Sequence, residues 1–122
     1  MLVILGTVAG CAVTSVEGRR MGVGSDAFAD YVEAVFRRQN ETATALGFAL
    51  DGEAPGSERY RALEAAELNL LTACRALNEL ASAARAGESR RGPGSLRRAR
   101  QAPECELAAI AAEQHLGSEP GL

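Results

Sequence analysis

A seven-residue repeat of apolar side chains in the middle of the chain constrains the fold more than any other feature of the sequence. The repeat lies between Ser57, which can cap a helix, and Gly87, which can end one. Its first row consists of Leu63, Leu70, Leu77 and Ala84, and its second of Tyr60, Glu67, Cys74 and Ala81. Such spacing places both rows along one seam of a helix that packs against another helix. The pattern therefore predicts one long helix over 57–87.

Two further segments have helical periodicity. Ser25 can cap the first segment and Gly52 can end it. Its apolar residues recur at steps of three and four: Phe28, Val32, Val35, Phe36, Ala43, Leu46 and Leu50. The other segment, 96–117, follows a polar break at 87–95 and has an alanine-rich face. Pro103 predicts either the first position of a new helix or a kink in a continuous one.

The composition favours helices over sheets. The chain of 122 residues contains 24 alanines and no tryptophan, and β-branched residues are few after position 23. Alanine is the best helix former, and its small side chain lets two helices approach closely. We therefore predict an all-α fold: a small antiparallel helical hairpin or three-helix bundle over 25–116, with a short tail at 117–122.

Two of the three cysteines are placed to meet. The midpoint between Cys74 and Cys105 lies in the polar break, between positions 89 and 90. If the flanking helices fold back on each other, both thiols lie roughly 15 to 18 Å from the turn, at a rise of about 1.5 Å per residue. The spacing predicts a disulfide, which an oxidising compartment would permit. The alternative is a pair of reduced, buried thiols in a cytosolic bundle.

The third cysteine ends an apolar stretch near the start of the chain. Residues 2–16, LVILGTVAGCAVTSV, carry no charge, and the run is shorter than the about 20 apolar residues that span a bilayer. The four residues VAGC, ending at Cys11, resemble the lipobox of bacterial lipoproteins. The resemblance implies that residues 1–10 are a signal segment that is removed and that Cys11 becomes acylated. The residue after the cysteine, Ala12, resembles the residue found at that position in lipoproteins that are sent to the outer membrane.

An alternative for this region remains open at this stage. The apolar segment could pack on the domain, with Cys11 as an ordinary buried thiol. The residues that follow, 11–24, are glycine-rich and polar and lack a helical stripe. They predict a flexible tether between an anchor and the helical body.

The sequence contains few groups that could carry out catalysis or bind a metal ion. His115 is the only histidine, no Cys-x-x-Cys or His-x-x-x-His pair is present, and no serine has a motif that supplies a base. We therefore predict no enzyme, no cofactor, no metal site and no small-molecule substrate. One charged cluster is a candidate anion-binding site, although a solvated turn is the simpler explanation: Arg90, Arg91, Arg97, Arg98 and Arg100. The net charge of −3 and the absence of interleaved aromatics argue against a nucleic-acid partner.

These observations lead to a hypothesis and two alternatives. The hypothesis is a lipid-anchored protein of the bacterial envelope, on the periplasmic side of the outer membrane. It would be a non-enzymatic structural or interaction module with an envelope protein as its partner. The first alternative is a cytosolic helical adaptor or subunit that binds a partner helix through its apolar seam. The second is a carrier of small ligands between alanine-lined helices, which no motif supports.

Overall fold

The computed structural model describes residues 12–87 and 93–117. Within them the chain forms a two-stranded antiparallel sheet and five helices, which confirms the predicted all-α class. In chain order the elements are β1 (Ala12–Thr14), β2 (Arg20–Gly22), α1 (Asp26–Asp51), α2 (Glu58–Ala73), α3 (Arg75–Arg85), α4 (Pro93–Ala99) and α5 (Ala102–Gly117). The signal segment, Cys11 and the tail from 118 onward lie outside the described residues.

The predicted helix caps are present. The Ser25 hydroxyl accepts a hydrogen bond from the backbone N–H of Phe28 and so satisfies one of the unpaired donors in the first turn of α1. Ser57 does the same for Tyr60 at the start of α2. Gly52 follows the last residue of α1, as predicted. The first long helix therefore has the bounds that its capping residues indicate.

Helices α1, α2 and α5 form a three-helix core. Tyr31 and Arg38 of α1 bond to Glu106 and Glu113 of α5, two pairs with the same offset of 75 residues, so these helices run parallel. Helix α2 runs antiparallel to α5, because its last turn meets the start of α5 through Cys74 and its first turn lies near His115 at the far end. The end of the bundle that holds Cys74, the start of α5 and the start of α1 is called the disulfide end below.

The core combines large leucines with small alanines. Four leucines are essentially inaccessible to solvent: Leu46, Leu63, Leu70 and Leu77. The facing surface of α5 contributes mostly small side chains: Ala102, Cys105, Ala108, Ala109 and Ala112. Small residues on one helix let its backbone approach the leucines of the others closely. The leucines of the predicted seam and Cys74 are thus buried inside the chain itself, whereas Tyr60, Glu67, Ala81 and Ala84 are only partly buried.

The prediction of one continuous helix over 57–87 is wrong. The chain leaves helical geometry at Cys74, with φ −98° and ψ 3°, and continues as the separate helix α3. No glycine or proline marks this bend in the sequence. The reason is tertiary, since Cys74 is tied to Cys105 at a Cα–Cα distance of 4.5 Å. The last segment is also divided, and Pro103 is the second residue of α5, one position after the first position of a new helix that was one of its two predicted roles.

The prediction of a flexible tether over 11–24 is wrong for the described residues 12–24. Val13 pairs with Met21 across the hairpin, and both side chains are buried in the core. Gly18 takes a φ of +91° in the connecting turn, a conformation that glycine adopts without steric cost. Strands of three residues are too short to show alternation in the sequence, whereas the glycines in and after the hairpin, Gly18, Gly22 and Gly24, resemble those of a linker.

Burial along α2 gives a direct test of this packing. Leu70 is fully buried, whereas Leu68, two residues earlier, is 67% exposed. We expect Leu70→Ala to lower the free energy of unfolding by about 3 kcal/mol, because it leaves a cavity in the core. The matched variant Leu68→Ala should change it by less than about 0.5 kcal/mol. Urea unfolding followed by circular dichroism measures both, and equal effects would contradict the orientation of α2.

Candidate functional site

The predicted disulfide is present. Cys74, at the junction of α2 and α3, is bonded to Cys105 in the first turns of α5, and neither cysteine is accessible to solvent. The bond closes a loop of chain with a sequence separation of 31, which contains all of α3 and α4. The two short helices therefore form a unit, the α3–α4 unit, whose two ends are joined to each other and to the bundle at the disulfide end.

Removing this bond has an expected cost. In the chain-entropy picture, opening a loop of this size lowers stability by about 3.5 kcal/mol. We expect the double variant Cys74→Ala/Cys105→Ala to unfold at correspondingly lower urea concentration, with little change in helical content before the transition. A thiol titration of the unreduced chain in denaturant should count no thiol from either residue. Two titratable thiols from Cys74 and Cys105 would contradict the bond.

A buried carboxylate holds the β-hairpin on the bundle. Glu106 of α5 is 8% exposed, and its Oε1 accepts two hydrogen bonds. One comes from the Tyr31 hydroxyl of α1 at 2.7 Å, and the other from the backbone N–H of Val16 at 3.1 Å. Burial raises the pKa of Tyr31 above its ordinary value of 10.0, and the hydrogen bond to Glu106 and the charge of that carboxylate raise it further. Sequence reasoning missed this site because its three groups are far apart along the chain.

The raised pKa of Tyr31 makes stability fall on the alkaline side. Above about pH 10 the unfolded chain releases the tyrosine proton while the folded chain keeps it, so the free energy of unfolding decreases as pH rises. We expect Tyr31→Phe to lose about 1.5 kcal/mol at neutral pH through the missing hydrogen bond. The variant should also lose less additional stability between neutral pH and about pH 11. Urea unfolding at both pH values measures this, and identical alkaline losses in both proteins would refute it.

Two more polar contacts join the helices at a distance from the hairpin. The Arg38 guanidinium forms a two-pronged ion pair with Glu113, with Nε 2.7 Å from Oε2, and Thr42 donates a hydrogen bond to the same carboxylate. The hydrogen bond from Arg38 holds the pKa of Glu113 below its ordinary value. Gln39 of α1 donates to the side-chain carbonyl of Asn78 of α3 at 2.7 Å. Because these side chains are bonded to one another across the helices, they hold the helices in position.

Within residues 12–87 and 93–117, no group of three or more His, Cys, Asp and Glu side chains could hold a metal ion. His115 is exposed and borders a cavity of about 220 Å³ lined mainly by alanines of α2 and α5. That volume is below the about 300 Å³ at which ligand pockets begin. No described helix is long and apolar enough to cross a membrane.

The arginine cluster is only partly described, because Arg90 and Arg91 lie outside the described residues. Arg97 and Arg100 are exposed. The Nε atom of Arg98 lies 3.7 Å from Oε2 of Glu79 in α3. Arg98 also borders an open groove of about 610 Å³, which the described cluster members Arg97 and Arg100 do not line.

The groove that Arg98 borders lies between α3 and α4, with Leu71 of α2 at its edge. A second arginine, Arg75 at the start of α3, lines it and was absent from the predicted cluster. The distribution of charge along the chain could have revealed it. Residues 75–100 contain seven arginines and two acidic residues, whereas the rest of the chain contains six arginines and fourteen acidic residues.

Comparison with known proteins found no matching family, no similar curated protein and no similar solved structure. Function is therefore argued from the residues of this chain.

Proposed function

We propose that the protein is an exported module of the bacterial envelope, anchored to a membrane by acyl chains on Cys11, with a structural or interaction role. The observation that carries the proposal is the buried disulfide between Cys74 and Cys105. Disulfides persist in oxidising compartments and are rare in the reducing cytosol. Export is what the lipobox-like residues VAGC imply, and these residues are independent of the cysteine pair.

The pairing also accounts for all three cysteines. Two are consumed by the bond, which leaves Cys11 as the one cysteine available for acylation. A single acyl chain gives marginal, reversible membrane binding, whereas the two or three chains of a lipoprotein cysteine give stable attachment. Ala12 after the cysteine supports the outer membrane as the destination, with an envelope protein as the partner.

The β-hairpin fixes where such an anchor would join the domain. Cys11 directly precedes Ala12, the first residue of β1, and the hairpin is bonded to Glu106 near the start of α5. The acyl chains would therefore join the protein one residue from a folded strand. In this arrangement the domain would lie directly against the membrane surface at its disulfide end.

The cytosolic adaptor is less well supported. That alternative needs a free apolar seam, yet Leu63, Leu70 and Leu77 are buried within the chain. An adaptor would have to use another surface. In the cytosol, the disulfide between these two cysteines would also have to resist reduction by the glutathione pool.

The test is Cys11→Ser, expressed in a bacterial host and followed in washed membrane fractions. The wash uses about 1 M salt, where electrostatic contacts are screened beyond about 3 Å, so that only the lipid anchor retains the protein. We expect the unsubstituted protein to stay with the membranes and Cys11→Ser to be released. Cys74→Ala/Cys105→Ala serves as the control and should stay attached.

Intact-mass spectrometry of the membrane-bound protein completes the test. The expected mass corresponds to loss of residues 1–10 and a gain of acyl groups, and it increases by two hydrogens on reduction. Retention of Cys11→Ser in the washed membranes, or a mass without acyl groups, would overturn the proposal.

A further inference from the structure

The segment that contains the α3–α4 unit has a net positive charge, whereas the rest of the protein has a net negative charge. Residues 75–100 carry a net charge of +5 and the remaining residues a net charge of −8. The positive segment is the part of the chain that the disulfide closes into a loop. Charge separation of this kind orients a protein at a charged surface, because one face is attracted and the others are repelled.

The groove of the α3–α4 unit presents mainly hydrogen-bond donors. Arg75 of α3 and Arg98 of α4 both line it. Asn78 lines it as well, and its side-chain carbonyl is already used by Gln39, so its NH₂ group is what it can offer a ligand. Ser82 adds a hydroxyl, and Glu79, the one carboxylate among the described lining residues, forms an ion pair with Arg98 at 3.7 Å. The set suits a phosphate or another compact anion.

Apolar side chains border these donors. Leu71, which is 50% exposed, forms one edge of the groove, and alanines of α3 line another part of it. Residues 75–100 contain no aromatic side chain on which a nucleic-acid base could stack. Charged donors next to an exposed leucine match a phosphate that is attached to an acyl chain.

The position of the unit favours the same ligand. The α3–α4 unit is attached to the bundle at Cys74 and Ala102, and the hairpin that follows Cys11 is bonded to Glu106, so the unit and the hairpin are both attached at the disulfide end. We propose that the groove between α3 and α4, which Arg75 and Arg98 line, binds the anionic headgroups of phospholipids. This inference rests on the proposed function, which puts the chain beside a membrane.

The test uses the full-length Cys11→Ser chain, so that binding does not depend on acylation. The chain is mixed with phosphatidylcholine vesicles and with vesicles in which phosphatidylglycerol replaces part of the phosphatidylcholine, and bound protein is sedimented. We expect binding only to the anionic vesicles at low ionic strength, and its loss at about 1 M salt. Equal binding to both kinds of vesicle, or to neither, would overturn the inference.

Substitutions locate the binding to the groove. Arg75→Gln/Arg98→Gln should lower partitioning to anionic vesicles about 30-fold, because each arginine at an anionic surface contributes about a factor of five. The control Arg37→Gln/Arg61→Gln removes the same charge from exposed positions of α1 and α2 and should change partitioning less than twofold. Equal losses in both pairs would show that net charge alone is responsible and would overturn the assignment to the groove.

Two further variants separate charge from folding. Arg75→Lys/Arg98→Lys keeps the charge and should retain most of the binding. Glu79→Gln removes the one acidic group of the groove and should raise partitioning about fivefold, whereas Glu64→Gln on exposed α2 surface should not. Failure of Glu79→Gln to increase binding, with unchanged circular dichroism, would contradict the groove as the site.

Competition identifies the source of the anion. If headgroups are the ligand, inorganic phosphate and single-stranded DNA should displace the chain from anionic vesicles only weakly. Efficient displacement by either competitor would overturn the headgroup as the ligand and would indicate a free phosphate or a nucleic acid instead. This outcome is separate from the proposed function, which fails if Cys11→Ser stays in the washed membranes or if the mass shows no acyl groups, whether or not the unacylated chain binds vesicles.

Discussion

The bond between Cys74 and Cys105 is the constraint on which the rest of the structure depends. It joins the end of α2 to the start of α5 at a Cα–Cα distance of 4.5 Å, inside a core built largely from leucine and alanine. A core of small side chains buries little apolar area per residue, so a covalent link adds a large share of the stability. The same bond turns the chain at Cys74 and thereby separates α3 from α2.

The polar contacts then position what the disulfide leaves free. Glu106 fixes the hairpin to α1 and α5, and Gln39 fixes α3 to α1 through Asn78. Each is a buried or half-buried group whose hydrogen bond is costly to lose, because an unpaired partner would remain away from water. The hairpin and the α3–α4 unit, which have few buried residues of their own, are therefore held in defined places on the three-helix core.

The sequence predicts those features that depend on local chemistry. Ser25, Ser57 and Gly52 mark helix ends because capping is a contact between near neighbours in the chain. The cysteine pair was predicted from two continuous antiparallel helices that bring the thiols level. The bond is present, but it joins the end of α2 to the start of α5, and the separate helices α3 and α4 lie between the two cysteines. The burial of Val13 agrees with the alternative that part of the apolar N-terminal segment packs on the domain. The bend at Cys74 was not predicted, because it involves contacts with residues that are distant in sequence. The groove has the same origin, as it exists only where α3 and α4 meet.

Charge separation and the disulfide together restrict how the proposed membrane protein would lie. An acyl anchor at Cys11 fixes the distance of the domain from the bilayer but leaves its rotation free. The basic α3–α4 unit would remove that freedom, because an anionic surface attracts it and repels the acidic remainder.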